Sequence, residues 1–544
     1  MRTFLLAATA ILAGCGSQPA AKAQLAAVPN APKLTIVISI DQFSANLFEA
    51  YRPMFNGGLA RLSRGTVFRN GFQAHAATET CPGHSTLLTG LSPAHTGIIA
   101  NAWYDEKLGR QDKIIYCAED ESQPNTTSLN YKVSPLHLKA QTLGDLLKAA
   151  SPQSRVVAVA GKDRSAVMMT GRSAAQRWYW NVNRFATDLT GTPARSAALI
   201  NQAVTMMIGA PQPGLQPTPE CAAKAQTFKL KGTGREVGNG RFARLGGDAA
   251  GFRSSPALDG ATLALAAGLI GEMSLGKGPA PDLLAVSLAA TDYVGHAYGN
   301  GGQEMCLQML SLDRDLGDFF RRLDDAGIQY AVVMSADHGG PDIPERARLH
   351  GIPDADWVDP KLAAVEVGKA LEAELRLPKV EVIGNYSGDI DVGPNLTPAD
   401  RARAIAAAKR LFARHPQIEA VFTHAEIARL PMPSGPPDKW PLANRLRASF
   451  DPERSGDLIV VTKPNIMPVT DTRTYATMHG SPWDYDRRVP IIFWRPGMAA
   501  VDRSEAISTT DIMPTLAGWL GLGLGATRLD GHCLGQVAGT LCPR

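Results

Sequence analysis

Six stretches of the chain run as continuous apolar segments: Leu34–Ile40, Val156–Ala160, Leu283–Leu288, Tyr330–Ser335, Leu458–Thr462 and Val489–Trp494. A strand with one wet face alternates apolar and polar residues, whereas one buried on both faces reads as an unbroken apolar run. Helix-like segments lie between them. Leu258–Met273 is rich in Ala and Leu, and Gln303–Ala326 repeats apolar residues at helical spacing before Gly327, a helix stop signal. This alternation predicts an α/β fold: a doubly wound, mostly parallel central sheet with helices on both faces. Such sheets bind ligands beyond the carboxyl ends of their strands.

Two stretches break the alternation and read as inserted cap or crown segments within a main domain spanning 30–544. Residues 166–256 contain Arg177-Trp178-Tyr179-Trp180 and a Pro/Gly-rich region from Pro211 to Pro219. The two tryptophans fit hairpin packing better than a cap lining. Residues 341–450 predict a small α/β subdomain, with a helix opening at Thr397 as N-cap and Pro398 at the first position.

The first 23 residues read as a targeting segment. Arg2 supplies positive charge, and the apolar stretch Phe4 to Leu12 is too short to span a membrane. It ends in Leu12-Ala13-Gly14-Cys15, which looks like a bacterial lipoprotein signal with Cys15 as the lipidated residue. Cleavage after Ala21-Lys22-Ala23 is the alternative and gives a free secreted protein. Both export the chain, to the periplasm or outer membrane of a bacterium, and Gln18 to Pro32 then serves as a tether.

At 544 residues the chain has room for several domains, or for one α/β enzyme with long insertions. It is 44% hydrophobic and 19% charged, an ordinary globular balance. The net charge of +4 comes without a Lys/Arg run, so nucleic acid is not an expected partner. Seven cysteines occur, and removing Cys15 leaves six. Export permits disulfides, but the spacing does not give their connectivity. Cys533–Cys542 is the most local pair, and a bridge at Cys81 would brace the residues next to it.

Candidate ligands follow the apolar runs. Asp41 ends the first run, Asp292 and His296 follow the third, Asp337 and His338 end the fourth, and His479 lies between the fifth and sixth. Asp292 and His296 are one helical turn apart, so both can face one ion. Three carboxylates and three imidazoles suit two borderline divalent ions, zinc first, and a two-metal site implies hydrolysis of a phosphate or related ester. Thr80, in Thr78-Glu79-Thr80-Cys81-Pro82-Gly83-His84-Ser85, lies near a predicted helix start, where free amides and the positive dipole end favour an oxyanion. Thr78, Ser85, Thr86 and Thr89 are rival hydroxyls, and His84 reads as a supporting residue at most. Lys162 and Arg164 follow the second run and share a face if the chain stays extended, offering a point charge and a planar donor pair to phosphate. Asn101 is a further donor.

This combination resembles the alkaline phosphatase superfamily, and closely its threonine-nucleophile, phosphate-irrepressible alkaline phosphatases. The matching stretches are Ser39-Ile40-Asp41-Gln42, Thr78 to Ser85, Ala100-Asn101-Ala102-Trp103-Tyr104, Gly161-Lys162-Asp163-Arg164-Ser165, Thr291-Asp292 through His296, Ala336-Asp337-His338-Gly339-Gly340 and Met478-His479-Gly480-Ser481. The resemblance implies an exported, broad-specificity phosphomonoesterase with two Zn²⁺ ions. One ion would be held by Asp292, His296 and His479, stabilising the leaving oxygen and then activating water. The other would be held by Asp41, Asp337 and His338 and would bind the oxygen of Thr80, the nucleophile that becomes phosphothreonine. Asn101, Lys162 and Arg164 would bind the non-bridging oxygens, with the lysine where related enzymes carry Mg²⁺. Small phosphate esters are the implied partners of a chain expected to be monomeric, with a lipid anchor at Cys15 in one reading. Sulfatases, which need a Cys-x-Pro-x-Arg motif, fit poorly. Phosphodiesterases of the nucleotide pyrophosphatase type share the six ligands but generally lack the Lys/Arg pair. A non-catalytic, metal-stabilised lipoprotein is the remaining alternative.

Overall fold

Leu34–Ile40, Val156–Ala160, Asp282–Leu288 and Tyr330–Ser335 are adjacent parallel strands in which every residue is buried, which is why they read as unbroken apolar runs. The computed structural model describes residues 24–29, 31–191 and 193–543, so the expected export segment and Cys15 lie outside the described residues. In chain order the strands used below are β1 (Leu34–Ile40), β2 (Thr66–Phe72), β3 (Ala102–Tyr104), β4 (Ile114–Tyr116), β5 (Val156–Ala160), β6 (Gln176–Asn181), β7 (Arg184–Ala186), β8 (Asp282–Leu288), β9 (Tyr330–Ser335), β10 (Val382–Gly384), β11 (Asp389–Val392), β12 (Ile418–Thr423), β13 (Leu458–Thr462), β14 (Arg488–Trp494) and β15 (Val501–Arg503). The helices are α1 (Thr80–Thr89), α2 (Asp163–Thr170), α3 (Pro256–Glu272), α4 (Ala290–Tyr298), α5 (Gln303–Asp325), α6 (Ala364–Leu375), α7 (Pro398–Arg414) and α8 (Ile512–Leu520).

The central sheet has the order β15-β2-β14-β9-β1-β8-β5-β6-β7. It is mostly parallel, but β14 runs antiparallel to both β9 and β2. Ile36 and Ile38 pack into a layer with residues of α3 and α5, while Val37 packs into the opposite layer with residues of α1 and α8. Each buried Ile or Leu contributes roughly 1.5–3 kcal/mol relative to exposure, so the two-sided covering fixes the register of the strands whose ends carry the chemistry.

Four expectations are corrected. Leu458–Thr462 does not join the central sheet. It is an inner strand of a second, four-stranded sheet ordered β10-β11-β13-β12. Leu458 and Val460 face the layer containing residues of α6 and α7, and Ile459 and Val461 face another apolar cluster around Phe450, so it mimics a central strand because it too is covered on both sides. The small subdomain therefore reaches past residue 450. The segment 166–256 does not begin as an insertion, because most of α2 and all of β6 and β7 lie within it and the two strands extend the central sheet. Trp178 and Trp180 are buried in β6, with Trp180 stacked on Phe252. Finally, part of the expected tether is docked, since Gln24–Leu25 pairs with Leu522–Gly523.

The six cysteines of the described residues form Cys81–Cys117, Cys221–Cys306 and Cys533–Cys542. No helix among the described residues is long and apolar enough to cross a membrane.

Candidate active site

The neighbouring strands β9, β1, β8 and β5 end level with one another. Ser335 is in register with Ser39, Leu288 with Ile40, and Ser287 with Ala160. The Asp41 N–H donates to Leu288 O at 2.9 Å and the Gly161 N–H to Ser287 O at 2.9 Å, carrying the ladder one step past the strands. Asp337 and His338, Asp41, Asp292 and His296 on α4, and Lys162 and Arg164 thus emerge side by side. Thr80 follows β2, which points the same way because two successive antiparallel pairings separate it from β9. His479 precedes β14 rather than following a strand, and the reversal of β14 brings it to the same edge.

Six ligand-type residues fall into two groups, Asp292/His296/His479 and Asp41/Asp337/His338, each with its ligand atoms within 4.8 Å of one another. Each imidazole is fixed by a backbone carbonyl. His296 Nδ1 lies 2.7 Å from Thr477 O, His338 Nδ1 2.8 Å from Gly339 O, and His479 Nδ1 2.8 Å from Thr78 O. A carbonyl only accepts, so Nδ1 carries the proton and Nε2 is left with a lone pair toward the carboxylates, as a metal ligand requires. Asp41 Oδ1, Asp292 Oδ1 and His338 Nε2 are buried without hydrogen-bond partners among the described residues. Buried polar atoms left unpaired are costly, so the donor set fits divalent cations.

The electrostatics agree. Burial and the neighbouring Asp337 carboxylate push Asp41 well above the ordinary carboxylate range. Burial works against ionised Asp292 as well, but His296 and Lys162 hold it well below that range. Burial, opposed by Asp337, lowers His338 to about 3, keeping its ring neutral. The Lys162 ammonium bridges the two groups at 2.7 Å from Asp41 Oδ2 and 2.6 Å from Asp292 Oδ2. Burial alone would depress its pKa, but these carboxylates raise it.

Thr80 is the first residue of α1 and is 1% exposed. Its Oγ1 accepts from Lys162 Nζ at 3.2 Å and from Arg164 Nη2 at 3.4 Å. The rival hydroxyls are engaged as donors: Thr78 to Ser481 O, Ser85 to Pro82 O, Thr86 to Gly83 O and Thr89 to Ser85 O. A Cβ on Gly83 would lie 2.0 Å from Asp337 O, so only glycine lets α1 press against the β9 end. Lys162 and Arg164 do converge, but not along an extended chain. Lys162 is the N-cap of α2 and Arg164 lies in its first turn.

Asn101 has a determined side-chain orientation. Its Oδ1 accepts the Cys81 N–H at 2.8 Å, which makes Nδ2 the donor end of the amide. His84 is fully buried, 3.1 Å from Asp337 Oδ2 and 3.1 Å from Ser287 Oγ, and supports these elements from behind. Sequence reasoning missed Tyr116 and Asp163. Tyr116 OH and Tyr131 OH each donate to Asp163 at 2.7 Å, and Arg164 Nη1 reaches Tyr116 OH at 3.4 Å. Asp163 had a signal in its place between two cations. Tyr116 had none, because β4 reaches the site only through the fold.

Cys117 follows Tyr116 and is bridged to Cys81, and its N–H donates to Asn101 O at 2.9 Å. The bridge therefore ties the Thr80 helix to the hairpin that holds Asn101 and Tyr116. Replacing Cys81 and Cys117 by Ala is expected to cost about 2–4 kcal/mol and to lower turnover. Replacing Cys533 and Cys542, whose link spans a sequence separation of 9, should cost stability alone. Urea midpoints and kcat of the two double variants check this.

The family model described as Type I phosphodiesterase / nucleotide pyrophosphatase matches residues 35–482. The chain is 48% identical over 521 residues to alkaline phosphatase PhoK of Sphingomonas sp, covering 95% of this chain and 92% of that protein. It is 44% identical over 518 residues to alkaline phosphatase PhoD of Zymomonas mobilis subsp. mobilis, covering 94% and 89%. Among solved structures, wild-type alkaline phosphatase PafA superposes with a TM-score of 0.80 at 24% identity, covering 94% of this chain and 100% of that one, a likeness of fold. By the family match and these near-full-length identities, the chain belongs to the type I phosphodiesterase / nucleotide pyrophosphatase family of the alkaline phosphatase superfamily.

Proposed function

We propose that this protein is an exported, zinc-dependent alkaline phosphatase that hydrolyses phosphate monoesters of broad variety through a phosphothreonine at Thr80. The observation that carries the reading is the convergence of Lys162 and Arg164 on Thr80 Oγ1 beside two three-residue ligand groups. The names of PhoK and PhoD, both alkaline phosphatases, support it.

Asp292, His296 and His479 would hold one Zn²⁺, and Asp41, Asp337 and His338 the other, with Thr80 Oγ1 as a further donor. Bound there, the two ions supply Lewis-acid charge for the attacking and leaving oxygens. Thr80 Oγ1 releases its proton to solvent and forms a bond to phosphorus as the ester P–O bond breaks, and the departing oxygen takes a proton from water and leaves as the alcohol. Water then cleaves the P–Oγ1 bond, releasing inorganic phosphate and restoring Thr80. Arg164 and the Nδ2 of Asn101 donate to non-bridging oxygens, while Lys162 balances Asp41 and Asp292 and adds positive charge beside the nucleophile. A monoester dianion presents three such oxygens and a diester monoanion has one of them alkylated, so this cation set favours the monoester. In this reading the protein acts as a monomer on small phosphate esters, either tethered through Cys15 or free.

Diester hydrolysis is the second reading, favoured by the description of the family model. The deciding measurement is kcat/KM of the zinc-loaded protein on p-nitrophenyl phosphate and on bis-p-nitrophenyl phosphate. Strong monoester preference is expected. Diester preference would overturn the proposal and reassign Lys162 and Arg164 to support of the ligands.

A further inference from the structure

Glu79 occupies the N-cap of α1, immediately before Thr80, yet its side chain caps nothing. Ser, Thr, Asp and Asn serve well there because a short side chain reaches the first helix amides. The longer Glu79 side chain is only 5% exposed and is spent elsewhere. Oε2 accepts the Asn101 backbone N–H at 2.9 Å, and Oε1 accepts the Ser387 hydroxyl in the turn between β10 and β11. The amide of Cys81, in the first turn, is satisfied by Asn101 Oδ1 instead. Asn101 is thus held at both ends: its backbone by the residue before the nucleophile, its side chain by the residue after it. A buried carboxylate beside a site that receives a phosphate dianion is unfavourable by charge alone, and these donors are what holds it in place.

We infer that Glu79 is the positioning residue for Asn101, aiming its Nδ2 at the phosphoryl group, and that through Ser387 it links this aim to the seating of the small subdomain. The inference rests on the reading of Asn101 as a phosphoryl-oxygen donor. Glu79 acts through Asn101, so its contribution should vanish when the Asn101 amide is absent.

The test is a double-mutant cycle on p-nitrophenyl phosphate with Glu79→Ala, Asn101→Ala and both together, zinc-loaded, with unfolding midpoints measured alongside. Glu79→Ala alone is expected to lower kcat/KM about 30-fold, the scale of losing a hydrogen bond to a charged group. In the Asn101→Ala background the same change should cost less than about threefold. Glu79→Gln, which keeps an acceptor for the Asn101 N–H, should recover part of the loss, and Ser387→Ala should lower the rate by a smaller factor than Glu79→Ala. Full multiplication of the two single effects would overturn the inference, as would a Glu79→Ala rate within threefold of wild type. If Asn101→Ala alone retains full activity, the donor reading of Asn101 fails and the inference falls with it, whereas a slow Asn101→Ala with multiplicative effects sinks the Glu79 role alone.

Discussion

Thr80→Ala is expected to lose at least about 10³-fold of monoester turnover, the scale of removing a nucleophile from a site whose other groups act with it, while still taking up zinc. The six carboxylate and imidazole donors do not depend on the hydroxyl. The histidine rings are oriented by carbonyls of Thr477, Gly339 and Thr78, and none of these bonds involves the Thr80 side chain. Kinetics on p-nitrophenyl phosphate and metal analysis of the same sample separate the two properties. Thr80→Ser keeps a hydroxyl at the helix start and should retain far more rate than the alanine variant. Near-normal kcat in Thr80→Ala would move the nucleophile elsewhere, although the neighbouring hydroxyls already donate to carbonyl oxygens.

Neutralising Lys162 and Arg164 together should reduce kcat/KM on a monoester by about 10²-fold or more, the scale of lost transition-state donors, and should harm a diester substantially less. The comparison is informative because Lys162 has two jobs. Its ammonium bridges Asp41 and Asp292, so its removal also loosens the ligand groups, and that damage falls on both substrates alike. The difference between substrates isolates the charge offered to the extra phosphoryl oxygen. Equal losses would mean that the pair serves only to organise the ligands.

Much of this was readable in the sequence. β1, β5, β8 and β9 are buried on both faces, so their apolar runs were unbroken, and candidate ligands or candidate anion-binding cations follow each of them. The limits of that signal are equally physical. Leu458–Thr462 carries the same pattern because a smaller sheet covers it on both sides, and a one-dimensional pattern does not distinguish one two-sided burial from another. Strand direction is invisible as well: β14 is as apolar as its neighbours and runs the opposite way. The residues that hold the machinery in place left the least trace. Glu79 is an ordinary acid at a helix start, and Tyr116 is one aromatic in a short hairpin. Their roles arise from a turn some 300 positions away in the chain, at Ser387, and from a disulfide partner that spacing did not identify. The expected export segment and the lipidation reading of Cys15 fall on residues 1–23, outside the described residues.

The reversed strand also has a consequence for the order in which the molecule is made. β14 is wedged between β2 and β9, both synthesised long before it. A chain still on the ribosome at residue 470 has every candidate reactive group except His479, but two sheet edges stand open where Val489, Ile491 and Phe493 will later be buried. One ligand group then has two of its three members, and the sheet is split. Function should therefore switch on late and all at once, and truncations in this region should yield sticky, inactive fragments rather than weakened enzymes.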